Sequence, residues 1–336
     1  MTPCAKYSTL NKGATMKYCF IINPASGKDS TKQGLENRIM ESAAKAEADV
    51  TVMYTTQVGD MQKYIREFSA KNAGEEIRFY ACGGDGTVCE AVNGVMSAEG
   101  REHLSLGIIP VGTGNDFVRN FDGKENFFDA DAQINATAMK IDLIKCNDFY
   151  AANMINIGFD CQVVVKTAEF KRKRFVPSKL AYIFGLVATL VKKPGVSMKV
   201  SKDGGEPEHK ELLLTTFANG SFCGGGFYSN PNASLTSGIL NSLFVNDVTR
   251  IKFISLVGDY KKGTHLCEKF AKILVEDNAF EYFLEFASPT NISVDGEIVT
   301  LESLRISCEK QALNILVPKG AALREQKTEN EQTVSV

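Results

Sequence analysis

From Lys17 to Asp116 the chain alternates short apolar runs with amphipathic stretches, and this constrains the fold more than any other feature. Lys17 to Ile22 is a buried-strand pattern that stops at Asn23-Pro24. Val50–Tyr54, Ile77–Cys82 and Leu104–Pro110 repeat it, the last two stopping at Gly83-Gly84 and Gly112. Between them Ser30–Lys45, Asp60–Lys71 and Thr87–Met96 carry apolar residues at helical spacing, such as Leu35, Ile39 and Ala43. A β-α-β-α-β-α-β order predicts a doubly wound sheet with helices on both faces, with ligands beyond the carboxyl ends of the strands.

After about residue 140 the texture changes to short alternating segments separated by turn residues: Lys140–Cys146, Phe149–Ile157, Ser197–Ser201, Glu211–Asn219, Leu240–Val248, Phe280–Phe286, Asn291–Val294, Leu304–Ser307 and Leu313–Val317. These predict a mostly antiparallel second domain, a sandwich or barrel, interrupted by helices near Pro177–Lys192 and Ile251–Lys262. The expected division is a disordered extension over 1–15, an N-terminal α/β domain over 16–139, and a C-terminal β domain over 140–318. The polar tail 319–336 either frays or rejoins the first domain. Met1 and Met16 are both possible starts.

A net charge of −2 gives no bulk field for nucleic acid, so none is expected as a partner. The nine cysteines include no C-x-x-C pair and fit a reducing compartment, hence a cytoplasmic location. Leu180 to Val191 is the longest apolar run and is shorter than the roughly 20 residues a bilayer span requires.

Three motifs fall at predicted strand ends: Asn23-Pro24-Ala25-Ser26-Gly27-Lys28, Gly83-Gly84-Asp85-Gly86-Thr87 and Gly112-Thr113-Gly114-Asn115-Asp116. Glycines let the backbone approach a ligand, successive N–H groups cradle an anion, and a following helix adds its dipole. Asp85 would repel a bare phosphate, whereas a magnesium ion would take carboxylate and phosphate oxygens together; a metal-nucleotide is therefore the expected ligand. The plain alternative is that each loop is only a tight turn. No G-x-x-x-x-G-K-[ST], no G-x-G-x-x-G after the first strand and no H-R-D loop is present. In the second half, Asp295-Gly296-Glu297 follows Asn291–Val294. A D-G pair is a hairpin-turn signal, and Asp295 is also a candidate acceptor for the proton of an attacking hydroxyl.

Taken together, Asn23-Pro24-x-Ser26-Gly27, Gly83-Gly84-Asp85-Gly86-Thr87, Gly112-Thr113-x-Asn115-Asp116 and Asp295-Gly296-Glu297 resemble the diacylglycerol kinase catalytic-domain family, and within it the bacterial lipid kinases. The resemblance runs from about residue 17 to 320. It implies an α/β domain followed by a β-sandwich, with ATP in the cleft between them. It implies nucleotide contacts from Asn23, Pro24, Ala25, Ser26 and Gly27, from Thr55, from Gly83, Gly84, Asp85, Gly86, Thr87, Val88, Cys89 and Glu90, and from Gly112 and Thr113. Asn115 and Asp116 would hold the inter-domain site, Asp85 would act through Mg²⁺, and Asp295 would be the general base with Glu297 beside it. Asp142 would join a charge network, and Asp160 would lie on the substrate side or be an ordinary strand-end acid.

Two departures stand out. Thr236, Ser237 and Asn241 occupy positions where the family's acids hold a structural magnesium, so that metal is expected to be absent or weakly held. Cys89 replaces an asparagine before Glu90.

Lys171-Arg172-Lys173-Arg174, the apolar stretch after Pro177 and Lys192-Lys193 form a candidate membrane-surface segment, or else a core helix beside a solvated charge run. The leading expectation is an ATP- and Mg²⁺-dependent kinase of a lipid hydroxyl presented at a membrane surface, with diacylglycerol first and long-chain bases next. A kinase of a soluble substrate such as NAD, and a lipid-binding regulator with weakened catalysis, are the alternatives. A homodimer is compatible with the sequence.

Overall fold

Strand β2 (Met16–Ile22) is fully buried over its last four residues because helices cover both of its faces. The computed structural model describes residues 9–10, 16–27, 29, 33–159, 161–163, 166 and 195–324. β2 pairs in parallel with β3 (Asp49–Tyr54) on one side and β4 (Glu76–Gly83) on the other, and β4 pairs in parallel with β5 (Leu104–Pro110). One face packs Phe20, Ile22, Val50, Val52, Tyr80 and Cys82 against Leu35, Ile39 and Ala43 of α1 (Leu35–Lys45) and, further along the chain, Ala130 and Ile134. On the other, Phe68 of α2 (Asp60–Lys71) meets Phe79 edge-on at 5.8 Å, and α2 packs on α3 (Asp85–Met96). This is the expected doubly wound sheet, and the three glycine loops leave the carboxyl ends of β2, β4 and β5.

The 1–15 segment departs from the disorder expected of it at β1 (Thr9–Leu10), which pairs antiparallel with β3, Thr9 to Thr51 and Leu10 to Val50. β3 would otherwise present an open row of N–H and C=O groups at the sheet edge. The first unit closes at Ile141, and the chain returns to it at Gln311 rather than Lys319. The described part of the tail rejoins this unit: Ala322 and Leu323 pair with Asp122 and Phe121, and the N–H of Arg324 donates to the Asn120 carbonyl.

The second unit runs from Asp142 to Lys310 and is antiparallel throughout. In chain order its main strands are β9 (Met154–Gly158), β10 (Val196–Lys202), β11 (Glu208–Ala218), β12 (Leu240–Asn246), β13 (Leu274–Ala279), β14 (Glu281–Val294) and the first part of β15 (Glu297–Val317); β6 to β8 are Phe121–Asp122, Thr137–Cys146 and Phe149–Ala151. β10 and β9 lie end to end between the long strands β11 and β14, each of which shifts register once. Ile155, Ile157, Phe217, Tyr282, Leu284, Ile292, Val294 and Leu304 fill its core. After α4 (Ala130–Ile134) in the first unit, the next described helix of eight or more residues is α5 (Arg250–Lys262), opened by Thr249, whose hydroxyl accepts from the N–H of Lys252. β13 was missed in the sequence because Val-Glu-Asp-Asn has no apolar alternation; an edge strand requires little. The expected helix at Pro177–Lys192, the 171–174 basic cluster and Asp160 lie outside the described residues. Among those described, no helix is long and apolar enough to cross a membrane.

Candidate active site

In the first unit the three glycine loops pack on one another. The N–H of Asn23 donates to the Cys82 carbonyl at 2.9 Å and its side-chain amide donates to the Thr87 hydroxyl at 3.0 Å, so the first loop is tied to the second. The N–H of Ala25 donates to Asn23 Oδ1, and that of Ser26 to the Asn23 carbonyl, which closes the turn. The N–H of Gly112 donates to the Gly83 carbonyl at 3.2 Å. A β-carbon at Gly112 would lie 2.4 Å from Gly84 Cα, and one at Gly27 would lie 1.7 Å from the Val111 carbonyl oxygen, so these glycines are required by backbone contact. Thr55 is buried, with its N–H on the Ile22 carbonyl, and the Glu90 carboxylate accepts from the N–H of Gly59 at 3.1 Å.

Gly84 caps α3 and has no side chain to accept from the first-turn N–H groups. Those groups have no partner within the helix, and with the dipole they make a seat for an anion. Gly84, Asp85 and Gly86 are half-buried and Thr113 is exposed, whereas Val88 and Cys89 turn their side chains into the core, leaving only their main chain for a ligand.

Asp85 is not aimed at that seat. Its Oδ2 accepts from the N–H of Asn115 at 2.9 Å and its Oδ1 from the N–H of Asp116 at 2.8 Å. The N–H groups of Phe117 and of Asp85 itself face it as well. Burial pushes its carboxyl above the usual range, and these main-chain donors oppose the rise. Both carboxylate oxygens of Asp85 are thus engaged by main-chain N–H groups of the third loop. These main-chain donors offset the charge of an acid that stands beside an anion cradle. Among the described residues no three His, Cys, Asp or Glu side chains are grouped to hold a metal.

In the second unit Asp295 and Gly296 are the two central residues of the hairpin turn joining Val294 to Glu297, both with positive φ, 47° and 94°. That is the type I′ pattern for which D-G is suited. The turn reading and a further role coexist. Asp295 Oδ2 accepts from the N–H of Ala152 at 2.7 Å, and Oδ1 accepts from those of Asn153 at 3.1 Å and Met154 at 2.7 Å. Asn153 then donates from its amide to the Phe222 carbonyl, and its own carbonyl accepts from the N–H groups of Asn219 and Gly220. Asn219 donates to the carbonyls of Asp142 and Ala152, and Asp142 Oδ2 accepts from the N–H of Gly238 at 2.6 Å. Glu297 is exposed at the start of β15.

Residues 17–146 match the family model described as the diacylglycerol kinase catalytic domain, and 153–317 match that of the YegS C-terminal NAD kinase β-sandwich-like domain. A protein of Staphylococcus aureus strain MSSA476, named as a putative lipid kinase, is 30% identical over 66% of this chain and 72% of its own. The chain belongs to the diacylglycerol kinase catalytic-domain family. Another relative in Alcanivorax borkumensis, named as a probable YegS-like lipid kinase, is 27% identical over 88% of this chain and 96% of its own. A crystal structure titled as a putative diacylglycerol kinase from Bacillus anthracis shares the fold, with a TM-score of 0.70 at 24% identity over 90% of this chain and 97% of that one. As a member of this family the protein is a kinase.

The loop at 234–241, which lacks the acids expected from the resemblance, is held by hydrogen bonds of hydroxyl and amide groups. The Ser237 hydroxyl donates to the Ile239 carbonyl at 3.0 Å, and Ser234 Oγ accepts from the N–H of Thr236. Asn241 accepts from the Asn230 amide and donates to Glu276 Oε1 at 2.8 Å and Asn278 Oδ1 at 3.2 Å. The same Glu276 accepts from Asn232 through Oε2. Neutral donors thus satisfy the acceptors around Asn241. An aspartate at 241 would face Glu276 with like charge and no donor. Asn241→Asp is expected to lower stability by about 2 kcal/mol in urea titration, with no recovery on adding Mg²⁺; a stabilising effect of the ion would contradict this account.

Sequence reasoning missed Arg119, which donates from Nη2 to the Gly114 carbonyl at 3.1 Å and pairs with Asp116. The signal was its place three residues after Asp116, one turn on, but no motif rule singles it out.

Proposed function

We propose that this kinase transfers the γ-phosphoryl group of ATP to a lipid hydroxyl, with diacylglycerol as the acceptor and phosphatidic acid as the product. The observation that carries the reading is the uncapped N-terminus of α3 at Gly84, ringed by two further loops whose glycines touch through their backbones. Such a seat takes phosphate through N–H groups and a helix dipole. ATP supplies the activated phosphoryl group when bound. Asn23 to Gly27, Gly83 to Thr87, Thr55, Glu90, Gly112 and Thr113 would bind and orient it. Asn115 and Asp116 shape the third loop, and Val88 and Cys89 contribute main chain only.

Phosphoryl transfer requires mostly alignment and charge neutralisation. Asp295, whose carboxylate is held in one direction by three main-chain donors, would accept the hydrogen bond of the attacking hydroxyl and take its proton as the P–O bond forms. Glu297 supports it from the first position of β15. Magnesium would travel with the triphosphate. The names of the relatives support a lipid acceptor, and peripheral association with a membrane surface follows from that acceptor.

Radiolabelled ATP offered with vesicles containing diacylglycerol, sphingosine or ceramide, and separately with soluble NAD, tests the reading. Label is expected in the diacylglycerol vesicles. Transfer to NAD without lipid, or to sphingosine alone, would replace the acceptor named here.

A further inference from the structure

The Gly112–Asp116 loop is gripped from two sides by charges of opposite sign. From one side Asp85 takes its N–H groups, those of Asn115 at 2.9 Å and Asp116 at 2.8 Å. From the other, Arg119 takes its acceptors. Nη2 donates to the Gly114 carbonyl at 3.1 Å, and Nε lies 3.3 Å from Asp116 Oδ1, out of line for a hydrogen bond. The pair is largely sheltered, with side-chain exposures of 29% for Arg119 and 11% for Asp116. The N–H of Arg119 also donates to the Asp116 carbonyl, which fixes the guanidinium's starting point under the loop. Inside the loop Asn115, at φ 53°, donates from its amide to the carbonyls of Pro110 and Gly112.

Side chains thus hold this loop at Gly112, Gly114, Asn115 and Asp116, and the loop places Gly112 against Gly84 at the mouth of the anion seat. None of the described residues of the three loops is cationic. Asp116 is an acid at the end of this loop, and Arg119 is the cation that faces it.

We propose that Arg119 is a positioning residue for the nucleotide: with Asp85 it clamps the Gly112–Asp116 loop and so fixes the width of the phosphate seat. This rests on the kinase reading above and assigns a residue to it. Only Arg matches the site, since a lysine ammonium can keep the pairing with Asp116 but cannot also span to the Gly114 carbonyl with a planar fork.

The test compares wild type, Arg119→Met and Arg119→Lys by calorimetric titration with ATP, melting by circular dichroism, and kinetics against diacylglycerol vesicles. The methionine variant is expected to bind ATP about tenfold more weakly or worse and to raise KM for ATP by a similar factor, while KM for the lipid stays within about twofold. The lysine variant should fall between the two. A general structural role would lower melting temperature and active fraction without separating the two KM values, and that result would overturn the inference. Folded Arg119→Met with wild-type ATP affinity would also overturn it. Should the methionine variant not fold, lysine decides by the same criterion: wild-type affinity overturns the clamp, weaker affinity with a normal lipid KM supports it. Absence of ATP binding by the wild-type chain would instead overturn the nucleotide reading itself, and this inference with it.

Discussion

Asp295→Ala is expected to abolish phosphoryl transfer and to lower the stability of the second unit by about 3–5 kcal/mol. The two effects share one cause. The carboxylate accepts from the N–H groups of Ala152, Asn153 and Met154, and no other partner on the turn can replace it. Alanine leaves three donors unsatisfied in a half-buried corner, each costing about 1–3 kcal/mol before relaxation and water entry reduce the sum. It also removes the hydrogen-bond acceptor proposed for the attacking hydroxyl. Asp295→Asn separates the effects. Its amide oxygen can still accept from one or two of the N–H groups, but its NH₂ faces the remaining donor, so a loss of about 1–2 kcal/mol is expected with turnover still lost. Urea unfolding followed by circular dichroism, together with the vesicle assay, measures both. If Asp295→Ala unfolded at the wild-type urea concentration, the clamp on 152–154 would carry no stability; if Asp295→Asn turned over normally, the proposed role in proton transfer would be lost.

Lowering the pH from 7 to 4 is expected to remove about 3 kcal/mol of stability through a single residue, His265. Its side chain is fully buried, in ring contact with Tyr260 at 4.9 Å, and neither ring nitrogen has a hydrogen-bond partner. Burial pushes its pKa down from 6.5 to about 4; the main-chain oxygens of Ser229 and Asp259 favour the charged ring but are not met in hydrogen-bonding geometry. Because the folded value lies below the unfolded one, the unfolded chain binds the extra proton first. Stability from this group is complete above about pH 6.5, falls by about 1.4 kcal/mol for each unit below that, and is exhausted near pH 4. The other two histidines, His103 and His209, lie at the surface with side-chain exposures of 43% and 62%. His265→Phe keeps an aromatic ring and removes the titration, so the difference between variant and wild type isolates this residue from the carboxylates that titrate at lower pH. Equal acid sensitivity of the two proteins would show that His265 is not the group responsible.

The second-domain departures from the family pattern also become intelligible. Thr236, Ser237 and Asn241 look in the sequence like a lost metal site. In the fold Asn241 belongs to a side-chain network: it donates to Glu276 and Asn278 and accepts from Asn230, itself bonded to the Thr216 hydroxyl at 2.8 Å. Ser237 turns its hydroxyl onto a carbonyl of its own loop. Residue types at single positions suggested a deficit, whereas their partners, up to 37 positions away, show a substitution of one way of holding the loop for another.

What the sequence determined by itself was everything with a short physical range. The period of the apolar residues distinguished the α/β half from the β half, and glycine and asparagine punctuation put the three glycine loops at the ends of β2, β4 and β5. Burial and backbone sterics act over a few residues, so both leave a local trace. The long strands β14 and β15 were read in pieces because their exposed stretches, such as Lys310 and Gln311, lose that trace. What only the tertiary structure decided was where the acids point. Asp85 reaches across 30 positions to Asn115, and Asp295 across 143 to Ala152, and each spends its carboxylate on main-chain N–H groups. A main-chain N–H is the same in every residue but proline, so the partner of such a bond leaves no mark in the sequence; only the path of the folded backbone brings it within reach.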